Sequence, residues 1–257
     1  MGLATTVTVL VLHGGGFIGG YPGSVEPIAA DLRAAGYDAI AVDYRSENPS
    51  GNVLGEIATV RRRVMEAEVR GPVVAYGVSA GGTLAAALAA RGEVAGAVVA
   101  GGPTNLLNWI GIAPQPTQLF WQRMGMDRSE RIQASPYYRL DGDQSPQLLL
   151  YGDVDPIVPI DQGLNYYRAA RRGQVDTTFT LMTISPHAFW NSYRSLARQW
   201  IEARWPARGA TARSGGAVTQ GAHVQEALVQ SHVLPKFRMK RHGQQRVLPG
   251  RDRMPLH

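Results

Sequence analysis

Short runs of β-branched and other apolar residues alternate with longer segments rich in alanine and leucine, and this alternation constrains the fold most. The apolar runs predict six strands, at Val7–Leu12, Asp38–Asp43, Val73–Val78, Val94–Ala100, Gln147–Tyr151 and Thr177–Thr183. The intervening segments predict helices at Val25–Ala35, Asn52–Arg70, Ala80–Arg91, Asp161–Arg172 and Phe189–Arg204. Strands that are apolar on both faces and separated by helices are typical of a covered parallel sheet. The sequence therefore predicts an α/β fold with a doubly wound, mainly parallel sheet.

The positive charge of the chain is concentrated near its C-terminus. The 257 residues carry a formal net charge of +6, but residues 1–205 have a net charge of −1 and residues 206–257 one of +7. High charge with little periodic apolar sequence predicts disorder. We therefore expect a catalytic or binding domain over 1–205 and a basic tail of low order over 206–257. Because the domain is nearly neutral, we expect no nucleic-acid partner.

Several classes of protein are excluded by what the sequence does not contain. The chain has no cysteine, which rules out disulfides, thiolate nucleophiles and cysteine-ligated zinc. The segment Met1–Leu12 lacks the basic residues of a secretory signal. No stretch reaches the roughly 18 uninterrupted apolar residues of a membrane-spanning helix. We expect a cytoplasmic protein with no membrane partner.

The most specific motif is Gly77–Gly81, which reads G-V-S-A-G and joins a predicted strand to a predicted helix. A G-x-S-x-G segment in this position holds its serine in a strained turn that exposes the hydroxyl. The flanking glycines are required because neighbouring backbone passes too close for a side chain. The motif predicts that Ser79 is a nucleophile.

A second motif, His13–Gly16, reads H-G-G-G and follows the first predicted strand. Three consecutive glycines cost backbone entropy, and a loop whose amides bind a developing oxyanion would explain them. A phosphate-binding loop is the alternative, but neither the G-x-G-x-x-G spacing nor a following Lys-Ser/Thr pair is present.

Together the two motifs resemble the α/β-hydrolase superfamily, specifically the H-G-G-G-bearing esterases and lipases related to hormone-sensitive lipase and the small carbohydrate and feruloyl esterases. The resemblance covers most of residues 7–204. It implies that the backbone amides of Gly15, Gly16 and Ala80 form an oxyanion hole and that the catalytic residues follow in the order Ser, Asp, His. It further implies that His13 braces the glycine loop and is not the base.

The predicted acid and base follow later strands. The segment from Leu148 to Pro159 resembles the family's acid loop, in which Asp155 is the preferred triad member and Asp153 the alternative. His187 follows the strand Thr177–Thr183, while four of the six histidines lie in the tail and His13 belongs to the glycine loop. Position and elimination therefore identify His187 as the candidate base.

The region from Gly101 to Gln144 predicts irregular structure, and residues 105–138 within it are a candidate small lid. This segment supplies apolar side chains for an acyl or alcohol pocket, although simple coverage of the sheet explains them equally well. The candidates for substrate contact are Phe17, Tyr21, Trp109, Phe120 and Trp121. A shallow apolar pocket favours short acyl chains.

The early antiparallel strands and the N-terminal cap of many relatives are expected to be missing, because the first predicted strand begins at Val7. The expected fold is thus an α/β-hydrolase fold with truncated N-terminal strands and a minimal cap. Its exposed edge strands would favour a homodimer.

The expected activity is that of a serine carboxylesterase that hydrolyses short-chain carboxylic esters through a Ser-His-Asp triad and an acyl-enzyme intermediate, with acetyl or feruloyl carbohydrate esters among the candidate substrates. An arylformamidase or peptidase-like amide hydrolase is the alternative, since it uses the same catalytic groups. A non-catalytic binding protein is less favoured because such proteins usually lose part of the triad. Neither a metal nor a cofactor is expected.

Overall fold

The computed structural model describes residues 6–46, 48, 52–109, 117–140, 144–187 and 190–207. These residues all lie within one compact unit, Met1–Thr211. Residues 208–257, which include nearly all of the predicted basic tail, lie outside the described residues, as do residues 110–116 of the candidate lid. The boundaries of the tail and of the lid therefore stay predictions.

The sheet has six strands, and each pair of neighbouring strands is parallel. The strands are β1 (Thr8–Leu12), β2 (Asp38–Val42), β3 (Val73–Val78), β4 (Gly96–Ala100), β5 (Gln147–Gly152) and β6 (Thr177–Met182). They lie in the order β2-β1-β3-β4-β5-β6. This arrangement confirms the predicted doubly wound parallel sheet. The loops that carry the candidate site residues follow the carboxyl ends of the strands, where ligands bind in such folds.

Seven α-helices are present in the described part of the chain. They are α1 (Glu26–Ala34), α2 (Val53–Glu68), α3 (Ala80–Ala89), α4 (Thr117–Arg123), α5 (Arg128–Ala134), α6 (Asp161–Arg172) and α7 (Trp190–Arg204). Helices α4 and α5 lie in the region that the sequence predicts as irregular. With seven residues each, they are too short for a helical apolar period to be recognised. Helix α5 is marked instead by a capping box in which Asp127 and Glu130 bond to each other's backbone amides.

Alternate residues of each strand point to opposite sides of the sheet, and helices pack on both sides. On one side, strand residues such as Leu12 and Val99 pack in a cluster with Ile57 of α2 and Leu84 of α3. On the other side, a second cluster joins further strand residues to α1 and α7. Every residue of α3 is buried, which explains its small, alanine-rich sequence.

Strands β2 and β6 form the edges of this sheet. Ile40 of β2 is 37% exposed, and this is consistent with an edge position. Homodimer formation through such an edge stays a prediction. Among the helices that the structure describes, none combines the length and the apolar character needed to cross a membrane.

Candidate active site

Ser79 lies in the sharp turn between β3 and α3, with φ 54° and ψ −120°. A non-glycine residue pays about 1–3 kcal/mol for such a conformation. The turn is possible because its flanks are glycines: a Cβ on Gly77 would lie 2.0 Å from the Gly81 carbonyl oxygen, and one on Gly81 would lie 2.3 Å from the Leu12 carbonyl oxygen. The motif thus forms the strained strand-to-helix turn that its sequence predicts.

The structure brings Ser79, His187 and Asp155 together in one chain of hydrogen bonds. The Ser79 Oγ lies 2.8 Å from His187 Nε2, and His187 Nδ1 lies 2.7 Å from Asp155 Oδ2. Because a carboxylate can only accept, Nδ1 carries the proton and Nε2 is left to accept the Ser79 hydroxyl proton. The Asp155 side chain is only 1% exposed, whereas that of His187 is 19% exposed. The imidazole therefore connects the buried Asp155 carboxylate to the hydroxyl of Ser79, a residue that is partly exposed.

The two aspartates of the loop after β5 have different partners. The Asp155 Oδ1 accepts bonds from the backbone amides of Ile157 at 2.8 Å and Val158 at 2.9 Å, so the carboxylate is held with its other oxygen towards His187. The Asp153 Oδ1 accepts a bond from the Ser185 amide at 3.2 Å. Asp155 is thus placed as the imidazole's partner, and Asp153 ties down the loop that leads to His187.

The glycine loop passes directly beside Ser79, because β1 and β3 are neighbours and Leu12 is paired with Gly77. A Cβ on Gly14 would lie 3.2 Å from the Ser79 Cβ. Gly15 has φ 131°, and a Cβ there would lie 2.1 Å from the Gly19 carbonyl oxygen. The loop therefore needs glycine both for its conformation and for its packing. Ala80, the third predicted contributor of an oxyanion-binding amide, is the first residue of α3.

His13 is fully buried at the start of the glycine loop. Its Nδ1 donates to the Gly14 carbonyl oxygen over 2.7 Å, and its ring stacks on Tyr44 with centroids 4.1 Å apart. Burial lowers the pKa of the His13 imidazole, which favours its neutral form. His13 is placed to support the loop.

Sequence reasoning missed the ion pair of Arg45 and Glu56, which contacts the backbone at the end of this loop. The Arg45 Nη1 donates to the Phe17 carbonyl oxygen over 2.6 Å and to the Glu56 Oε1 over 2.5 Å. Glu56 is fully buried on α2. A signal was available, because Glu56 falls on the apolar face of that helix, three residues after Val53 and four before Val60. A charge at such a position indicates a buried partner.

The buried Glu56 carboxyl predicts a pH dependence of stability. Burial raises its pKa from 4.5 to about 8, against a smaller lowering by Arg45. Between these values the folded protein keeps a proton that the unfolded chain releases, so the free energy of unfolding should fall as pH rises through this window. Glu56→Gln removes this titrating group, so the free energy of unfolding should change less with pH in the variant than in the wild type. Urea unfolding from about pH 5 to about pH 8 measures it, with the exposed Glu66→Gln as control. Parallel curves for wild type and Glu56→Gln would contradict the prediction.

Four of the five candidate substrate-contact residues form one aromatic cluster. Phe17, Trp109, Phe120 and Trp121 are each between 1% and 3% exposed. Their rings meet edge to face, with centroids 4.9–5.9 Å apart. The Trp109 indole donates to the Ile157 carbonyl oxygen over 2.8 Å, which connects the cluster to the Asp155 loop. Tyr21 is 66% exposed. Contact of any of these residues with substrate stays a prediction.

Comparison with known proteins agrees with this fold. Residues 69–208, more than half of the chain, match the prolyl oligopeptidase family. This match contains Ser79, Asp155 and His187 but begins after the glycine loop. No curated protein matches the chain.

Solved structures of an esterase from the Planctomycetes species Thermogutta terrifontis, Est2, are similar to this chain. The propionate-bound form has a TM-score of 0.64 and 19% identity over 80% of this chain and 86% of that chain. The form phosphonylated by sarin has a TM-score of 0.65 and 19% identity over 79% and 86%. The native form has a TM-score of 0.63 and 20% identity over 80% and 84%. At these identities the likeness shows the α/β-hydrolase fold alone.

Proposed function

The chain belongs to the prolyl oligopeptidase family, and from this premise we propose that it is a serine carboxylesterase that hydrolyses short-chain carboxylic esters. The esterase neighbours and the family together support a hydrolase of esterase type. The observation that carries the finer proposal is the hydrogen-bond chain from Ser79 through His187 to Asp155.

In the proposed reaction, the Ser79 Oγ attacks the ester carbonyl carbon while His187 Nε2 takes the hydroxyl proton. The resulting imidazolium is stabilised by the buried Asp155 carboxylate. When the tetrahedral intermediate collapses, His187 gives the proton to the departing alkoxide, and the acyl group stays on Ser79. Water then repeats the sequence with the same base and releases the carboxylic acid and the free enzyme.

The oxyanion of each tetrahedral intermediate would be bound by the backbone amides of Gly15, Gly16 and Ala80. This assignment is supported by the close passage of the glycine loop beside Ser79 and by the position of Ala80 at the N-terminus of α3. Donors that are already in place cost no reorganisation during the reaction, and each is worth roughly 3 kcal/mol in comparable enzymes.

A preference for short acyl chains is supported by the packing of the aromatic cluster. Side chains that already contact one another leave little room for a long alkyl chain without being displaced. The Est2 structures with bound propionate and butyrate point in the same direction, since they hold short acids. Acetyl and feruloyl carbohydrate esters remain the candidate natural substrates.

Amide hydrolysis is the second candidate function, and the family match favours it, because the family is named for an oligopeptidase. The same three residues serve both reactions. The two reactions differ in the leaving group, since the amine of an amide must be protonated before it departs. In a peptidase or an arylformamidase, His187 would be the general acid that protonates this amine. A purely binding role is disfavoured by the intact hydrogen-bond chain.

A substrate panel tests the proposed function. We expect kcat/KM for p-nitrophenyl butyrate to exceed that for p-nitrophenyl palmitate, because the proposed acyl site, lined by the packed aromatic cluster, would leave little room for a long chain. We also expect it to exceed kcat/KM for formylkynurenine and for a prolyl p-nitroanilide by about tenfold or more, about 1.4 kcal/mol in the barrier. Acetyl and feruloyl esters complete the panel. Faster turnover of palmitate would reject the short-chain preference, and faster turnover of either amide would replace the esterase by an amide hydrolase.

A further inference from the structure

Two consecutive residues after β2 contact the two ends of the glycine loop. The Tyr44 hydroxyl donates to the His13 carbonyl oxygen over 2.5 Å, at the start of the loop. The Arg45 guanidinium donates to the Phe17 carbonyl oxygen over 2.6 Å, at its end. Strand β2 lies next to β1 in the sheet, so its following residues emerge beside the loop.

The loop between these contacts contains three consecutive residues with positive φ, a conformation that glycine adopts readily and phenylalanine does not. Gly15, Gly16 and Phe17 all have positive φ, at 131°, 61° and 63°. Phe17 is not a glycine, so this conformation must be held by its surroundings. The Phe17 side chain packs against Trp109, and the Phe17 carbonyl accepts from Arg45. Within the loop, the Ile18 and Gly19 amides donate to the Gly15 carbonyl oxygen.

Arg45 is itself held in place by Glu56. The Glu56 Oε1 accepts from the same Arg45 Nη1 that reaches Phe17, and Glu56 is fully buried while the Arg45 side chain is 25% exposed. An acceptor remains at Oε1 whether the carboxyl is ionised or protonated. A buried ion pair such as Arg45–Glu56 is costly to keep, and replacement of the whole pair by apolar residues is often neutral or stabilising. The buried Glu56 carboxyl is explained if it holds the Arg45 side chain in position to bond to Phe17.

We infer that Arg45, held by Glu56, is a positioning residue that fixes the Phe17 carbonyl and thereby the amides of Gly15 and Gly16 beside Ser79. This inference rests on the proposed role of those amides in binding the oxyanion. Arg45 acts only through the loop. Its loss should therefore weaken transition-state stabilisation more than ground-state binding of the ester.

The test compares Glu56→Gln with the double variant Arg45→Met/Glu56→Gln. The single variant keeps a carbonyl acceptor for Arg45, whereas the double variant removes the donor to Phe17 without leaving a buried charge unpaired. We expect kcat for p-nitrophenyl butyrate to be about 10- to 100-fold lower in the double variant than in Glu56→Gln, with KM changed less than about threefold, as for misplaced catalytic groups. Arg45→Lys, which retains a charged donor, should recover part of kcat relative to the double variant. Arg70→Met removes an exposed arginine paired with Asp38 and serves as the matched control.

Amide hydrogen exchange over residues 13–20 gives a readout that does not depend on the substrate. We expect faster exchange in this segment in the double variant and unchanged exchange in Arg70→Met. Equal kcat and equal exchange in the double variant and Glu56→Gln would overturn the inference, as would a loss confined to KM. If the wild type hydrolyses neither esters nor amides while exchange still increases in the double variant, the proposed function fails and the support of the loop by Arg45 stands.

Discussion

Ser79→Ala is expected to lower kcat for p-nitrophenyl butyrate by about 10⁴-fold or more, because the variant lacks the oxygen that attacks the ester. The change removes one atom and leaves the glycines of the turn in place, so the fold should be retained. Ester hydrolysis with active-site titration measures the loss, and circular dichroism checks the fold. Ser24→Ala, which alters an exposed serine in the turn before α1, should leave kcat unchanged.

Covalent labelling gives the same prediction a second readout. An organophosphate should add one adduct to the wild type, located at Ser79 by mass spectrometry, and none to Ser79→Ala. Near-normal turnover in Ser79→Ala, or an adduct on another serine that abolishes activity, would reject Ser79 as the nucleophile.

Asp155→Asn is expected to lower kcat by about 10⁴-fold while preserving the fold, as the corresponding change does in a serine protease triad. The asparagine Oδ1 can still accept from the Ile157 and Val158 amides. Its NH₂ group then faces His187 Nδ1, which must accept, so the neutral imidazole carries its proton on Nε2. In that tautomer, Nε2 cannot take the proton of the Ser79 hydroxyl. Steady-state kinetics on the ester panel measure the loss.

Asp153→Asn is the matched control, because Asp153 lies two residues earlier in the same loop. Its asparagine oxygen can still accept from the Ser185 amide, so kcat should stay within about threefold of wild type, as expected for a change outside the reacting atoms. Comparable losses in the two variants would mean that the loop as a whole, and not the pairing of Asp155 with His187, supports activity.

The elements and the candidate nucleophile were predictable because their signals are local. Apolar runs of five to seven residues followed by Ala- or Leu-rich segments predict parallel strands and their connecting helices. The G-x-S-x-G turn is recognisable from sequence because Gly77 and Gly81 must be glycine: a Cβ at either position would clash with backbone atoms of the turn or of the adjacent strand. By contrast, α4 and α5 are too short for periodicity, and only the capping residues of α5 mark where it begins.

Packing partners far apart in sequence were not predictable in the same way. The choice between Asp153 and Asp155 depends on which carboxylate reaches an imidazole 32 residues later than Asp155. The contact between Arg45 and Phe17 joins loops that follow two different strands. The aromatic side chains could not be divided between pocket and core, because apolar residues suit both.

The sequence by itself determined the α/β class of this protein and the turn that presents Ser79, because strand periodicity and glycine requirements act over a few residues. Only the tertiary structure decided which aspartate faces His187 and what supports the glycine loop. The parallel sheet brings the C-terminal ends of β1, β2, β3, β5 and β6 to one edge. Side chains separated by tens to more than a hundred residues meet there, and their distances depend on strand order and register, which no local pattern encodes.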